Sequence, residues 1–241
     1  MTTFVLIHGA WHGGWCWDHV GRELKMRDHR ALAPDLPGLG SDHTPLGDVS
    51  LASWADHIAD LVRRQDEKVV LVGHSRGGLV ISEVAERIPE AISSLVYLAA
   101  FLVPNGRTLQ DMLALGEPRD VTKDAICMQP DGISSVIPAN RVGPIFYNTS
   151  PADLQAKAAS LLTPEPMMSF ITPVQVSDAR FGRVKRAYIE CLQDNAVPVE
   201  VQRTMQKALP CSPVVTLDSD HSPFYSQPAK LADALLTIAT S

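Results

Sequence analysis

The sequence predicts an α/β protein built on a mostly parallel, doubly wound sheet with a lid insertion, and three observations carry that expectation. Six short apolar runs of strand length recur along the 241 residues, stretches with helical spacing separate them, and one long interval breaks the alternation. Strands buried on both faces read as continuous apolar runs, because helices cover each side of a parallel sheet. With 45% hydrophobic residues the chain can fill the core of one large domain.

The first strand is FVLIH (4–8), followed by a helix over DHVGRELK (18–25) and a second strand, RALAP (30–34). LASWADHIADLVRR (51–64) opens behind Ser50, a residue suited to an N-cap, and sets apolar residues at 51, 54, 58, 61 and 62. The strand VVLVG (69–73) leads into GGLVISEVAERI (77–88), where Leu79, Val80, Val84 and Ile88 keep helical spacing and Pro89 ends the run. SLVYLAA (94–100), RAYIECL (186–192) and PVVTL (213–217) are the remaining strands. The helices PVEVQRTMQKAL (198–209), with Pro198 at its first turn, and PAKLADALLTIA (228–239) accompany them. Between 104 and 182 fall nine of the 18 prolines and four of the seven methionines, which suits an irregular apolar insertion. The expected division is a core of 1–103 and 183–241 with a lid, or cap, of 104–182; a second small domain docked elsewhere is the alternative.

Charge and cysteine usage narrow the class. The 27 acidic and 21 basic residues leave a net charge of −6 with no basic block able to follow a phosphate backbone, so nucleic acid is not an expected partner. Cys16, Cys127, Cys191 and Cys211 are scattered without a C-x-x-C pair and read as reduced thiols of an intracellular protein. The N-terminus enters a strand without a basic leader, and no apolar run reaches the ~18 residues of a membrane span. The expectation is a soluble cytoplasmic protein without a membrane partner, and a homodimer is compatible with it.

The segment Gly73-His74-Ser75-Arg76-Gly77 fits G-x-S-x-G between a strand and a helix, the context in which that motif presents a nucleophile. A strand turning sharply into a helix strains the residue at its apex, and a Cβ two places away on either side would collide with the packing helix. The same turn aims the helix N-terminus at any oxyanion formed there. A serine hydroxyl needs a base, and of eight histidines only His221, in the loop LDSDHSPF after the last strand, lies late enough. Asp194 follows the preceding strand at the same edge and is the expected acid; Asp218 and Asp220 share the histidine's own loop, and Asp178 falls in the presumed lid. The loop after the first strand, HGAWHGGW, has glycines that let backbone crowd the site, so the N–H groups of Ala10 and Arg76 are the expected oxyanion donors. Gly9 and Trp11 of that loop, with Met112, Met128, Phe146, Tyr147, Met167, Met168 and Phe224, are the candidates to line an apolar pocket, although each methionine suits an ordinary lid core equally. His8-x-x-x-His12 has no third ligand, and the serine segment lacks the spacings of phosphate and dinucleotide cradles, so no metal or cofactor is expected.

Taken together, FVLIHGAWHGGWCW, APDLPGLGSD, VVLVGHSRGGLV, YIECLQDNAVP and DSDHSPF resemble the α/β-hydrolase superfamily. More narrowly they resemble the branch that holds plant methylesterases of the salicylate type, plant α-hydroxynitrile lyases and bacterial esterases of similar length. The likeness spans the chain and is weakest in the insertion. It implies the α/β-hydrolase fold and a serine carboxylesterase acting on small aryl or alkyl esters, methyl esters included. The lyases of the branch carry threonine after the first strand's histidine, an acidic residue before the nucleophile and lysine after the catalytic histidine. Here those places hold Gly9, His74 and Ser222, which disfavours cyanohydrin cleavage. A ligand-binding receptor of this fold with little turnover is the other reading. Arg76 departs from the leucine or cysteine common in the branch, and its guanidinium is expected either to pair with a lid acid or to steer anionic substrates.

Overall fold

In chain order the elements are β1 (Thr3–Ile7), α1 (Asp18–Met26), β2 (Arg30–Leu32), α2 (Leu51–Arg63), β3 (Val69–His74), α3 (Gly77–Arg87), β4 (Ile92–Leu98), α4 (Leu109–Leu113), β5 (Cys127–Met128), β6 (Ser134–Val136), α5 (Ala139–Phe146), α6 (Ala152–Leu161), β7 (Glu165–Pro166), α7 (Met168–Ile171), β8 (Arg186–Cys191), α8 (Val199–Ala208), β9 (Val214–Leu217), α9 (Pro223–Ser226) and α10 (Pro228–Ala239). They come from a computed structural model that describes residues 1–117 and 119–240; Pro118, one of the insertion's prolines, lies outside the described residues, as does Ser241. Every expected strand and helix of the core is present, with ends that match or shift by at most two residues.

The six apolar runs form one sheet in the order β2-β1-β3-β4-β8-β9, each neighbouring pair parallel. All six residues of β3 are buried, as a strand covered on both faces requires. α2 begins as its sequence predicts: Ser50 Oγ accepts the Ser53 N–H at 3.0 Å while Ser53 Oγ accepts the Ser50 N–H at 2.8 Å. Its buried face, Leu51, Trp54, Ala55, Ile58, Ala59 and Val62, follows the helical repeat. α3 is buried from Gly77 through Ala85 on all sides, so it acts as an internal support for the strand before it.

Strand order and register position the site. The chain leaves β1 toward β2 and returns on the other side as β3, which makes the β1/β3 boundary the point where strand order reverses and ligands of open α/β sheets bind. Ile7 pairs with Gly73, so the loops after β1 and β3 emerge side by side. Cys191 pairs with Leu217, so the loops after β8 and β9 do the same. β9 lies three strand spacings, about 14 Å, from β3. The chain after Leu217 must therefore run back across the sheet edge to approach the turn after β3.

Residues 104–182 are more ordered than their composition suggests. They hold α4, α5, α6 and α7 and a three-stranded antiparallel sheet in the order β5-β6-β7. Strands of two or three residues are too short for an alternating pattern to register in sequence. The insertion is fastened to the β1 loop through Trp11, whose Nε1–H donates to Ser135 O at 3.1 Å and whose carbonyl accepts the Thr163 N–H at 2.9 Å. Its return segment is held by α3, where Glu83 accepts the Gln175 N–H and Glu86 the Ser177 N–H.

Candidate active site

Ser75 sits at the apex of the turn with φ of +53°, in the left-handed region that a residue with a Cβ enters at a cost. Three backbone hydrogen bonds hold it there: its N–H to Leu98 O at 3.2 Å, and its carbonyl from Phe101 N at 3.0 Å and Gly78 N at 3.1 Å. The flanking glycines are steric necessities. A Cβ on Gly73 would lie 2.7 Å from Gly77 O, one on Gly77 2.8 Å from Ile7 O, and one on Gly78 2.3 Å from Phe101 O.

His221 Nδ1–H donates to Asp194 Oδ2 at 2.8 Å, and both side chains are buried. The rival acids of the histidine's own loop lie elsewhere. Asp218 accepts from exposed Gln193. Asp220 faces away from the ring and ties the histidine loop to the insertion, accepting the Thr149 N–H at 3.0 Å and Ser150 Oγ–H at 2.8 Å. The histidine loop is also tied to the serine turn, because His74 Nε2–H donates to the His221 carbonyl at 2.8 Å and the two rings stand 4.5 Å apart. Phe146 packs on the His221 ring at 5.7 Å and, with Ser75, lines the same cavity. The fold thus brings residues 75, 194 and 221 to one edge.

His74, His8 and His12 are structural rings. His8 takes the Leu36 N–H on Nε2 and gives Nδ1–H to Gly9 O; His12 gives Nδ1–H to Ala10 O and takes the Tyr147 hydroxyl proton on Nε2. Burial pulls the pKa of His8 down to about 3 and that of His12 to about 4, and pulls His74 well below the usual histidine range. All three are neutral at physiological pH.

The two expected oxyanion donors, Ala10 and Arg76, both line the cavity, and among the described residues neither N–H meets a protein acceptor. The Arg76 guanidinium has a separate fate. It is fully buried, stacks 4.3 Å above the Trp54 ring, and pairs with Glu165 of β7 through Nε to Oε1 at 2.9 Å and Nη2 to Oε2 at 3.3 Å. Of the two expectations for this side chain, pairing with an acid of the insertion is the one realised. Burial lowers its pKa, and Glu165 opposes that shift.

The cavity has a volume of about 240 Å³ and apolar walls that include Phe101, Leu109, Ile137, Ile145 and Phe170. Of the expected pocket residues, Trp11 and Phe146 line it. Gly9, Met112, Met128, Met167, Met168, Tyr147 and Phe224 do not. Gly9 lies behind the serine, where its Cβ would fall 2.8 Å from Ser75 Cβ. Met128 is 52% exposed on the outer surface, Met112 is buried in the insertion, and Met167 and Met168 pack partly buried against the core. Tyr147 and Phe224 belong to a ring cluster around His12, with Phe224 also packed on Trp17 and His74. Composition marks a residue as apolar, but the backbone path decides whether it faces cavity or core.

Sequence reasoning does not single out two buried partners of these side chains. Gln202, one turn into α8, donates Nε2–H to Asp194 Oδ2 at 3.1 Å and to Val197 O at 2.7 Å. Glu165 stands between two prolines in a two-residue strand; the clue was a charged residue in an apolar stretch together with the unusual arginine after the serine.

Comparison with known proteins agrees with this architecture. The Alpha/beta hydrolase family matches residues 4–234. The chain is 34% identical to a pyrethroid hydrolase of Sphingobium wenxiniae, covering 99% of this chain and 88% of the relative. It is 33% identical to methylesterase 7 of Arabidopsis thaliana, covering 99% and 96%. The crystal structure of a pyrethroid hydrolase from Sphingobium faniae JZ-2 superposes with a TM-score of 0.89 at 32% identity, covering 100% of this chain and 98% of that one.

Proposed function

The chain belongs to the alpha/beta hydrolase family and is a carboxylic ester hydrolase, and from that premise we propose that it cleaves small apolar esters through an acyl-enzyme on Ser75. The observation that carries the reading is the buried 2.8 Å bond from His221 Nδ1 to Asp194 Oδ2 beside the serine turn. With Nδ1–H committed to the carboxylate, Nε2 is the basic nitrogen. It takes the Ser75 Oγ proton as the oxygen attacks the ester carbonyl, and Asp194 stabilises the imidazolium that results. The N–H groups of Ala10 and Arg76 receive the developing oxyanion. His221 then gives its proton to the departing alkoxide, and water, activated by the same ring, releases the acid.

The cavity supports the substrate class. Its walls are apolar and its roughly 240 Å³ falls just below the usual range of about 300–1,000 Å³ for ligand pockets, which favours compact acyl and alcohol groups. Cyanohydrin cleavage loses further ground at Gly9, where a threonine side chain would meet Ser75 Cβ.

The test is a panel of p-nitrophenyl and methyl aryl esters assayed on the wild-type protein and Ser75→Ala together. We expect wild-type turnover above about 1 s⁻¹, the low end for ordinary enzymes, and a loss on the order of 10⁶-fold in the variant. Wild-type turnover in Ser75→Ala overturns the nucleophile. Tight ligand binding with turnover far below that rate in the wild type supports a receptor instead.

A further inference from the structure

A trans peptide points its C=O and N–H in opposite directions, so whatever bonds the carbonyl braces and polarises the N–H behind it. The Ala10 N–H belongs to the same peptide unit as the Gly9 carbonyl. That carbonyl accepts two hydrogen bonds, from His8 Nδ1–H at 2.9 Å and from Arg76 Nη2–H at 3.1 Å. The next peptide is held at both ends as well: Ala10 O accepts His12 Nδ1–H at 2.7 Å, and the Trp11 N–H donates to Glu165 Oε2 at 3.0 Å. Trp11 has φ of +61°, so the loop sits in a conformation that needs such restraint. Glu165 is therefore shared between the Trp11 N–H and the Arg76 guanidinium, and Ser169 Oγ–H completes its shell at 2.9 Å on Oε1.

We propose that the Arg76 side chain, clamped by Glu165, is a positioning residue for the oxyanion hole, bracing and polarising through Gly9 O the peptide unit that presents the Ala10 N–H. The inference rests on the esterase reading and deepens it. One residue then serves both donors, the second by its own N–H and the first through its guanidinium, and the insertion takes part by supplying Glu165. A fully buried ion pair is a poor way to gain stability, since an apolar pair of the same volume serves as well or better. Its arrangement here accounts for its presence in another way: the planar fork of arginine reaches Glu165 and Gly9 O together, which a lysine ammonium cannot do with the same geometry.

The test replaces both charges at once, Arg76→Leu with Glu165→Met, so that neither is left buried alone. Both backbone donors remain. Removing a whole oxyanion donor lowers kcat by about 10²–10³-fold, so loosening one is expected to lower it by roughly tenfold or more. Binding of a trifluoromethyl ketone, which forms an oxyanion on Ser75, should weaken by a similar factor. Affinity for an unreacted ester, measured in a Ser75→Ala background, should stay within about twofold. A folded double variant with wild-type kcat overturns the proposal, and so does an ester affinity that falls as far as kcat, since that signals a collapsed pocket. If the double variant does not fold, Arg76→Lys carries the test: a lower kcat with unchanged ester affinity supports the brace, and an unchanged kcat overturns it. Failure of the esterase reading is separate, because it appears as an active Ser75→Ala protein whatever residue 76 is.

Discussion

Asp194 has no spare lone pair. Its Oδ1 accepts the Ala196 and Val197 N–H groups, each at 2.8 Å, and its Oδ2 accepts His221 Nδ1–H and Gln202 Nε2–H. Four donors fill the capacity of a carboxylate and leave the group one orientation, which in turn holds the imidazole in the tautomer with a free Nε2. Asp194→Asn keeps the shape but sets an amide N–H against a donor, favouring the wrong tautomer. Single-turnover kinetics should show a fall in the acylation rate on the order of 10⁴-fold. A loss below about tenfold would show that the carboxylate does not orient the base.

At the scale of elements, the strand-turn-helix unit of β3 and α3 depends on backbone contacts closer than any side chain permits. The tightest is outside the pentapeptide motif, at Gly78, whose Cβ would lie 2.3 Å from Phe101 O. Neither atom is the end of a flexible side chain, so α3 would have to move off the chain that follows β4. Gly78→Ala should cost about 3 kcal/mol or more, at the upper end for single substitutions. Gly21 in α1 is the contrast, with its nearest neighbour, Ala31 Cβ, 3.9 Å from the added Cβ. There Gly21→Ala should stabilise by about 0.5–1 kcal/mol through helix propensity and a less free unfolded chain. Urea unfolding of both variants checks the pair, and equal midpoints would contradict it.

Across the whole molecule, three imidazoles are carried neutral into the interior around the site. His8 and His12 titrate at about 3 and about 4 in the fold, and burial holds His74 well below the usual histidine range, whereas an unfolded chain protonates all three near 6.5. Unfolding therefore takes up protons between those values. Their contribution to stability is complete above about pH 6.5 and is lost as pH falls toward 4, at up to about 1.4 kcal/mol per pH unit for each ring. Unfolding midpoints should drop steadily from pH 6.5 to 4.5, and a flat profile would show that these rings are not held neutral. Much of this molecule was legible beforehand. The six strands, the core helices and the cap at Ser50 follow from rules acting over a few residues, apolar runs and capping chemistry; candidate position 75 follows from the steric demands of a turn into a helix, and candidates 194 and 221 from the order of acid and histidine along the chain after it. What only the tertiary structure decided are the contacts made across long stretches of chain. Arg76 meets Glu165, Asp194 meets Gln202, and Trp11 and Phe146 rather than the methionines face the cavity. Local propensity fixes where an element begins and which face it buries, but which distant group lies opposite depends on the path of the whole insertion over the sheet edge.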